Sequence, residues 1–530
     1  MRVSIFALTA LLGSAVALDK IVIKDNKFFN SVTGDEFFFK GLAYQPENGE
    51  PDPNNRDPLA DTVGCKRDIE SFKDLGINAI RVYQTDYTKN HDVCMAALEK
   101  AGIYVVLDVP APSYAINRAY PEWTTDLFAK FRAKVDNFSV YKNVAAYVIG
   151  NEVTNDDKTT PAAAFVKAAA RDIKAYLKKQ NITTPVGYAS NDEPSIRDQL
   201  AAHFVCSEDN SENVDFYGMN LYNWCGDMTF ETSGYEEFVK QYASYPVPVL
   251  LTEYGCNAQR PRKFPEVGSL YGSDMDTVFS GGFMYEYSEE ANNYGLASVT
   301  YGKTGVEKTG DYDNFKKALA AVSPKGVKMS EYKQSSAKRP SCPSVTDTWQ
   351  VAPKILPPTP SSASCQCISS SFSCAIKGNV TDSDAGKAGD LIGNVCKDVS
   401  CSEIQTNTAK GEYGHYAFCD ISVRASYAVN AYYEDKKQCK ADGFDTQTAK
   451  PSSKADSCAD KATDINTPSN NNGRVPTVDD SELEDFESGS SSGHRSSSGS
   501  SPDTSAAGSV SMLALASTQV AVVFAAAMLI

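Results

Sequence analysis

The chain has 530 residues, 67 of them acidic against 51 basic, and a formal net charge of −16. That balance disfavours nucleic acid and anionic lipid as partners and is compatible with a neutral polymer. The length suggests two to four domains, and fourteen cysteines in a secreted chain read as seven disulfides with none left over.

Arg2 followed by IFALTALLGSAVA, closing on Ala15-Val16-Ala17, reads as a secretory signal peptide over residues 1–17; the other reading is a buried helix. Residues 18–342 then alternate apolar runs with amphipathic stretches. Strands are predicted at FFFKGLAYQ (37–45), INAIRVYQT (77–85), IYVVLDVP (103–110), AAYVIGNEV (145–153), TPVGYAS (184–190), VDFYGMNLY (214–222), VPVLLTEYG (247–255) and GGFMYEYS (281–288). Helices fit the gaps, for instance CKRDIESFKDLG (65–76) and AAAFVKAAARDIKAYLKKQ (162–180). Eight such units predict an α/β fold, a (β/α)₈ TIM barrel, with a doubly wound sheet as the alternative.

Residues 343–364 contain LPPTPSSAS and read as a Pro/Ser linker. Cys365–Cys458 holds eight cysteines in 94 residues, the mark of a small disulfide-rich domain. Residues 459–505 are polar, acidic and Ser/Gly-rich and read as a disordered stalk. The tail Met512–Ile530 carries no charge and no basic flank. With the small residues before it, it reads as a GPI-attachment propeptide over 506–530, the attachment residue lying between Gly499 and Ser505; a tail anchor is the alternative. Asn137, Asn181 and Asn379 each begin an Asn-X-Ser/Thr sequon, consistent with a secretory route to the outer face of the plasma membrane.

The four histidines, His91, His203, His415 and His494, show no metal-ligand spacing, and no serine nucleophile elbow occurs. No metal or cofactor is expected, and carboxylates remain as the acid–base resource. Glu152 ends the fourth predicted strand and Glu253 the seventh. Barrel enzymes carry their chemistry at strand C-terminal ends. Two carboxylates facing each other there suit glycosidic chemistry, and a separation of about 5–5.5 Å would make it retaining. On this reading Glu152 is the acid/base with a raised pKa, and Glu253 the nucleophile, which stays ionised. Asn151 is placed to bond a sugar 2-hydroxyl. Tyr83, Tyr222, Tyr285 and Tyr294 offer sugar-stacking faces, with Tyr222 also placed to hold the nucleophile, and Asp108 and Gln45 are candidate hydroxyl partners.

The stretches KGLAYQP, INAIRVYQTD, YVIGNEV, MNLYNWCG, LLTEYGCN and GGFMYEYSEEANNYGL resemble the fungal GPI-anchored β-1,3-glucanosyltransferases, the Gas/Gel/Phr group of glycoside hydrolase family 72. The resemblance implies Glu152 as acid/base and Glu253 as nucleophile, and glucan contacts for Gln45, Tyr83, Asp108, Asn151, Tyr222 and Tyr285. It implies a β-1,3-glucan donor and acceptor, with residence at the plasma membrane or in the wall; a monomer is expected. The alternatives are a retaining endo-β-1,3-glucanase and a non-catalytic glucan-binding wall protein. CQC (365–367), YGHYAFC (413–419) and SYAVNAYY (426–433) resemble a family 43 carbohydrate-binding module; a purely structural cap is the other reading of this unit. The family pattern implies the pairs Cys65–Cys94, Cys206–Cys342, Cys225–Cys256, Cys365–Cys419, Cys367–Cys458, Cys374–Cys439 and Cys396–Cys401.

Overall fold

The N-terminal segment pairs β1 (Ile21–Lys24) with β2 (Lys27–Asn30) in an antiparallel hairpin. The structure, a computed structural model, describes residues 18–46, 57–333, 337–471 and 473–478, with Leu483 alone beyond them. The signal peptide and the GPI tail therefore lie outside the described residues.

After the hairpin come β3 (Phe39–Ala43), α1 (Thr62–Leu75), β4 (Ala79–Val82), α2 (Asp92–Lys100), β5 (Tyr104–Asp108), α3 (Thr125–Phe138) and β6 (Val144–Asn151). They are followed by α4 (Ala162–Lys179), β7 (Val186–Asn191), α5 (Arg197–Val205), β8 (Phe216–Leu221), α6 (Tyr235–Tyr242), β9 (Val249–Tyr254), α7 (Glu266–Leu270), β10 (Phe279–Met284) and α8 (Gly310–Ala320). Strands β3 to β10 close into one barrel in sequence order, β10 pairing with β3, and all eight pairings are parallel. Each strand falls at a predicted run, because a parallel strand covered on both faces must be apolar almost throughout.

The helices are delimited by their own residues. Asp61 accepts from Gly64 N and opens α1, and Gly76, in the left-handed region at φ 73°, closes it. Thr124 opens α3 in the same way. Large and small side chains alternate inside the barrel. A Cβ at Gly41 would lie 2.3 Å from the Phe283 ring, and one at Gly187 would lie 2.5 Å from Phe216, so glycine is what lets those rings fill the interior. Phe28 of the β1–β2 hairpin packs edge-on against Phe39 and Phe216, joining the barrel's interior core. The sequence reading had no strand here, since two four-residue strands are too short to show a period.

Two segments differ from the sequence expectation. Residues 343–364 do not form a loose linker: Trp349 and Val351 are fully buried in the barrel's outer core, Thr359 donates to Asp172, and α9 (Ser362–Ser369) begins within the segment. Residues 459–505 read as disordered stalk, yet the described residues 459–471 and 473–478 of that stretch strap the barrel. Arg132 donates to Asp464 O at 3.0 Å, Ser469 Oγ and Asn470 N donate to Asp136 at 2.7 and 2.8 Å, and Arg474 pairs with Asp92. Composition missed the strap because it is held mainly by hydrogen bonds and ion pairs rather than by apolar area.

The small domain carries α9, α10 (Ala385–Val395) and α11 (Ile421–Lys436). Its apolar clusters are slight, and cystines fill much of them. Cys365–Cys419, Cys367–Cys458, Cys374–Cys439 and Cys396–Cys401 close within it; Cys65–Cys94, Cys206–Cys342 and Cys225–Cys256 close within the barrel unit. These are the pairs the resemblance implies. Asn181 and Asn379 are exposed, while Asn137 is half-buried with its Oδ1 3.0 Å from His91 Nδ1.

Candidate active site

The C-terminal ends of β4, β5, β6, β8 and β9 bring one network together. Its centre is Arg81 on β4, fully buried inside the barrel. Arg81 donates to both carboxylate oxygens of Asp108 at 3.0 and 2.9 Å, to Asn151 Oδ1 at 2.9 Å, to Glu253 Oε1 at 3.2 Å and to Thr252 O at 3.1 Å. Burial opposes its charge, but the carboxylates of Asp108 and Glu253 outweigh that and hold the guanidinium protonated.

Glu253, near the end of β9, meets donors from three directions. Besides Arg81, Tyr83 OH reaches Oε1 at 3.0 Å and Tyr222 OH reaches Oε2 at 2.7 Å. Burial, with the charge of Glu253 adding to it, pushes both phenols well above their usual range, so both stay protonated and donate. Burial likewise pushes the Glu253 carboxyl up to about 7; Arg81 pulls it down, the charge of Glu152 raises it further, and the Tyr222 and Tyr83 hydroxyls lower it. The sequence reading expected Glu253 to stay ionised. That holds only above about pH 7, because the carboxylate is desolvated and lies within reach of the charge of Glu152.

Glu152 follows β6 and is half-buried. Its Oε1 accepts from Asn220 Nδ2 at 2.7 Å, and the same Nδ2 lies 3.1 Å from Asn151 Oδ1. Consecutive strand residues normally point to opposite faces. Here both reach one amide, because Glu152 takes a left-handed backbone at φ 48°. A left-handed backbone at a non-glycine residue persists only where its surroundings hold it. Glu152 N donates to Ala189 O at 2.8 Å, and Arg118 donates to Glu152 O at 2.9 Å. Asn220 is itself oriented by Thr252 Oγ1, which donates to its Oδ1 at 2.8 Å, so Glu152 is tied to β9 through one side chain and Glu253 to β4 through another.

Tyr285 and Tyr294 complete an aromatic wall. Tyr222 lies edge-on to Tyr285 at 6.2 Å and to Tyr294 at 5.6 Å, and Tyr83 to Tyr285 at 6.4 Å. Gln45 is buried beyond β3 with its Oε1 accepting from Gln84 N at 2.9 Å. Asp108 corrects the sequence reading: both its oxygens are engaged by Arg81 and it is buried, so in this geometry it is Arg81's counter-ion rather than a hydroxyl partner. Asn151 Oδ1 is taken by Arg81 and Asn220, which leaves its Nδ2 as the group able to donate to a sugar.

Sequence reasoning passed over Arg81, Asn220 and Arg118. The signal for the first two was a polar residue inside an apolar strand run, AIRV and GMNL, which signals a buried group with partners. Arg118 lies in a loop, where an arginine carries no such signal.

A parallel barrel with two glutamates at strand ends, buried donors on one and an aromatic wall beside them defines a carbohydrate-active barrel enzyme. Residues 11–323 match the glucanosyltransferase family, glycoside hydrolase family 72, and residues 372–445 match the X8 domain. The chain is 43% identical over 461 residues to Protein EPD1 of Candida maltosa, covering 86% of this chain and 83% of that one. It is 43% identical over 457 residues to a 1,3-beta-glucanosyltransferase of Arthroderma benhamiae, covering 81% and 82%. Among solved structures, Saccharomyces cerevisiae Gas2p in complex with laminaritriose and laminaritetraose aligns at a TM-score of 0.75 and 39% identity, covering 82% of this chain and 98% of that one. The chain belongs to the glucanosyltransferase family and is an enzyme of that family.

Proposed function

We propose that the protein cleaves a β-1,3-glucan internally and transfers the new reducing end to the non-reducing end of another β-1,3-glucan, elongating cell-wall glucan. The observation that carries the roles is the asymmetry of donors: Arg81, Tyr83 and Tyr222 converge on the Glu253 carboxylate, while among the described residues Asn220 alone donates to the Glu152 carboxylate. Donors stabilise a carboxylate anion, so Glu253 is the nucleophile and Glu152 the acid/base. The charge of Glu152 raises the Glu253 carboxyl, so neutralising Glu152 favours the ionised nucleophile.

In the first half-reaction a Glu253 oxygen attacks the anomeric carbon, the glycosidic C–O bond breaks, and Glu152 gives its proton to the leaving oxygen. In the second, Glu152 takes the proton of an acceptor hydroxyl, whose oxygen attacks the anomeric carbon and frees Glu253. Asn151 Nδ2 is placed to bond the 2-hydroxyl, and the wall of Tyr222, Tyr285 and Tyr294 offers stacking faces. Transfer exceeds hydrolysis when a bound acceptor is oriented for attack, an advantage of up to ~7–11 kcal/mol. A purified laminari-oligosaccharide incubated with the soluble ectodomain therefore yields β-configured products that include chains longer than the donor. Shorter chains alone, even at high acceptor concentration, would make the enzyme a hydrolase.

The uncharged tail Met512–Ile530 supports anchoring by a glycolipid at the outer face of the plasma membrane. Among the described residues no helix is long and apolar enough to cross a membrane. Both carboxylates and the whole barrel are complete within one chain, so the reaction as proposed needs no second copy. Phosphatidylinositol-specific phospholipase should release the protein from membranes at the mass of a single chain. Recovery of the intact Ile530 terminus on the surface protein would refute the anchor.

A further inference from the structure

The segment between β5 and α3 connects the neighbourhood of Glu152 to the small domain. In its second half Arg118 donates to the Glu152 backbone O at 2.9 Å. Near its end Glu122 pairs with Arg424 of α11, and Thr125 N donates to Phe418 O at 2.9 Å. The turn is held from just before Arg118, where Asn117 Oδ1 accepts from Ala119 N and Tyr120 N at 2.8 and 3.2 Å, and just after Glu122, where Trp123 is buried with its Nε1 on Asp172. Tyr120 sits between these anchors and is 83% exposed, the one aromatic among the strongly exposed large hydrophobics of the described residues. A bare phenol ring on a loop pinned on both sides contributes nothing to the core. Two residues of chain span at most about 7 Å, so Tyr120 stands beside the arginine that touches the acid/base residue.

The acid/base carboxylate protonates the leaving oxygen and later deprotonates the incoming hydroxyl, so the flank of Glu152 borders the leaving chain and then the acceptor. We propose that Tyr120 is a stacking platform for the acceptor glucan, outside the reacting sugars, and that the small domain holds this platform in place through Arg424 and the Phe418 carbonyl. This rests on the reading of Glu152 given above. Tyr120 touches no reacting atom, so it governs acceptor use and not bond cleavage. The small domain thereby acts on transfer whether or not it binds glucan itself.

The test uses the secreted ectodomain with Tyr120→Ser and Tyr120→Phe, and Arg424→Ala and Arg424→Lys, assayed with an activated laminari-oligosaccharide donor and acceptors of increasing length. Tyr120→Ser should raise the KM for long acceptors roughly three- to tenfold, the scale of one lost aromatic contact. It should leave short acceptors and the donor-cleavage rate unchanged, and Tyr120→Phe should restore wild-type behaviour. Arg424→Ala should reproduce the length-dependent defect, with rescue by Arg424→Lys. Unchanged acceptor KM at every length in Tyr120→Ser, or a loss equal for short and long acceptors, would overturn the proposal. Cleavage that survives Glu152→Gln with an unactivated donor would instead overturn the underlying assignment of Glu152, so the two failures are distinguishable.

Discussion

Glu253→Gln lowers glucan cleavage by about a thousandfold or more while the fold is kept, because the amide matches the carboxylate in shape and cannot form the glycosyl bond. Glu152→Gln lowers turnover of natural glucan by about 10²–10⁴, the usual contribution of a positioned acid, yet spares the first step with a donor whose leaving group needs no proton. That difference gives access to the pKa of Glu253. Its carboxyl stands at about 7 partly because Glu152 is charged. Removing that charge lowers it, so in Glu152→Gln the acid limb of activated-donor cleavage moves to lower pH than in the wild type. A pH–rate profile of burst glycosylation measures this; an acid limb that stays in place or moves up would contradict the charge coupling.

Arg81→Met carries the second large effect. The guanidinium is buried with Asp108 and Glu253 as its ion-pair partners, and removing one partner of a buried pair costs about 3–5 kcal/mol. The loss is concentrated on Asp108, left with no cation between its oxygens, and it appears as a lowered thermal midpoint. The catalytic effect is separate. Arg81 lowers the Glu253 pKa, so without it the carboxyl rises above about 7 and the acid limb moves to higher pH, opposite to the shift from Glu152→Gln. Arg81→Lys keeps the charge but loses the fork on Asp108, and falls between the two in both readouts. A stable Arg81→Met protein with a wild-type acid limb would remove Arg81 from the account.

What the sequence reveals here follows the kind of force involved. The eight barrel strands are legible because burial on both faces demands continuous apolar runs, and Glu152 and Glu253 are legible because each interrupts such a run where a barrel opens. Arg81 interrupts one too, but a strand gives no sign of which way its residue points or what it meets. Asp108 was assigned to substrate for that reason. The strap at 459–478 is held by contacts to Arg132, Asp136 and Asp92, all more than 300 residues earlier, and composition carries no trace of such partners. The raised carboxyl of Glu253 arises from burial and from the charge of Glu152, against the pull of Arg81, Tyr222 and Tyr83, and these residues are neighbours only in the closed barrel.

The central claim is that a sugar becomes covalently bound to Glu253 and to no other residue. Reacting the ectodomain with a 2-deoxy-2-fluoro laminari-oligosaccharyl donor slows breakdown of that bond, and peptide mass spectrometry then locates the added mass. The expected result is one glycosyl group on the peptide containing VPVLLTEYG, at Glu253, discharged faster when an acceptor glucan is added. Stoichiometric labelling at another residue, or turnover with no covalent species and an inverted product, would contradict it.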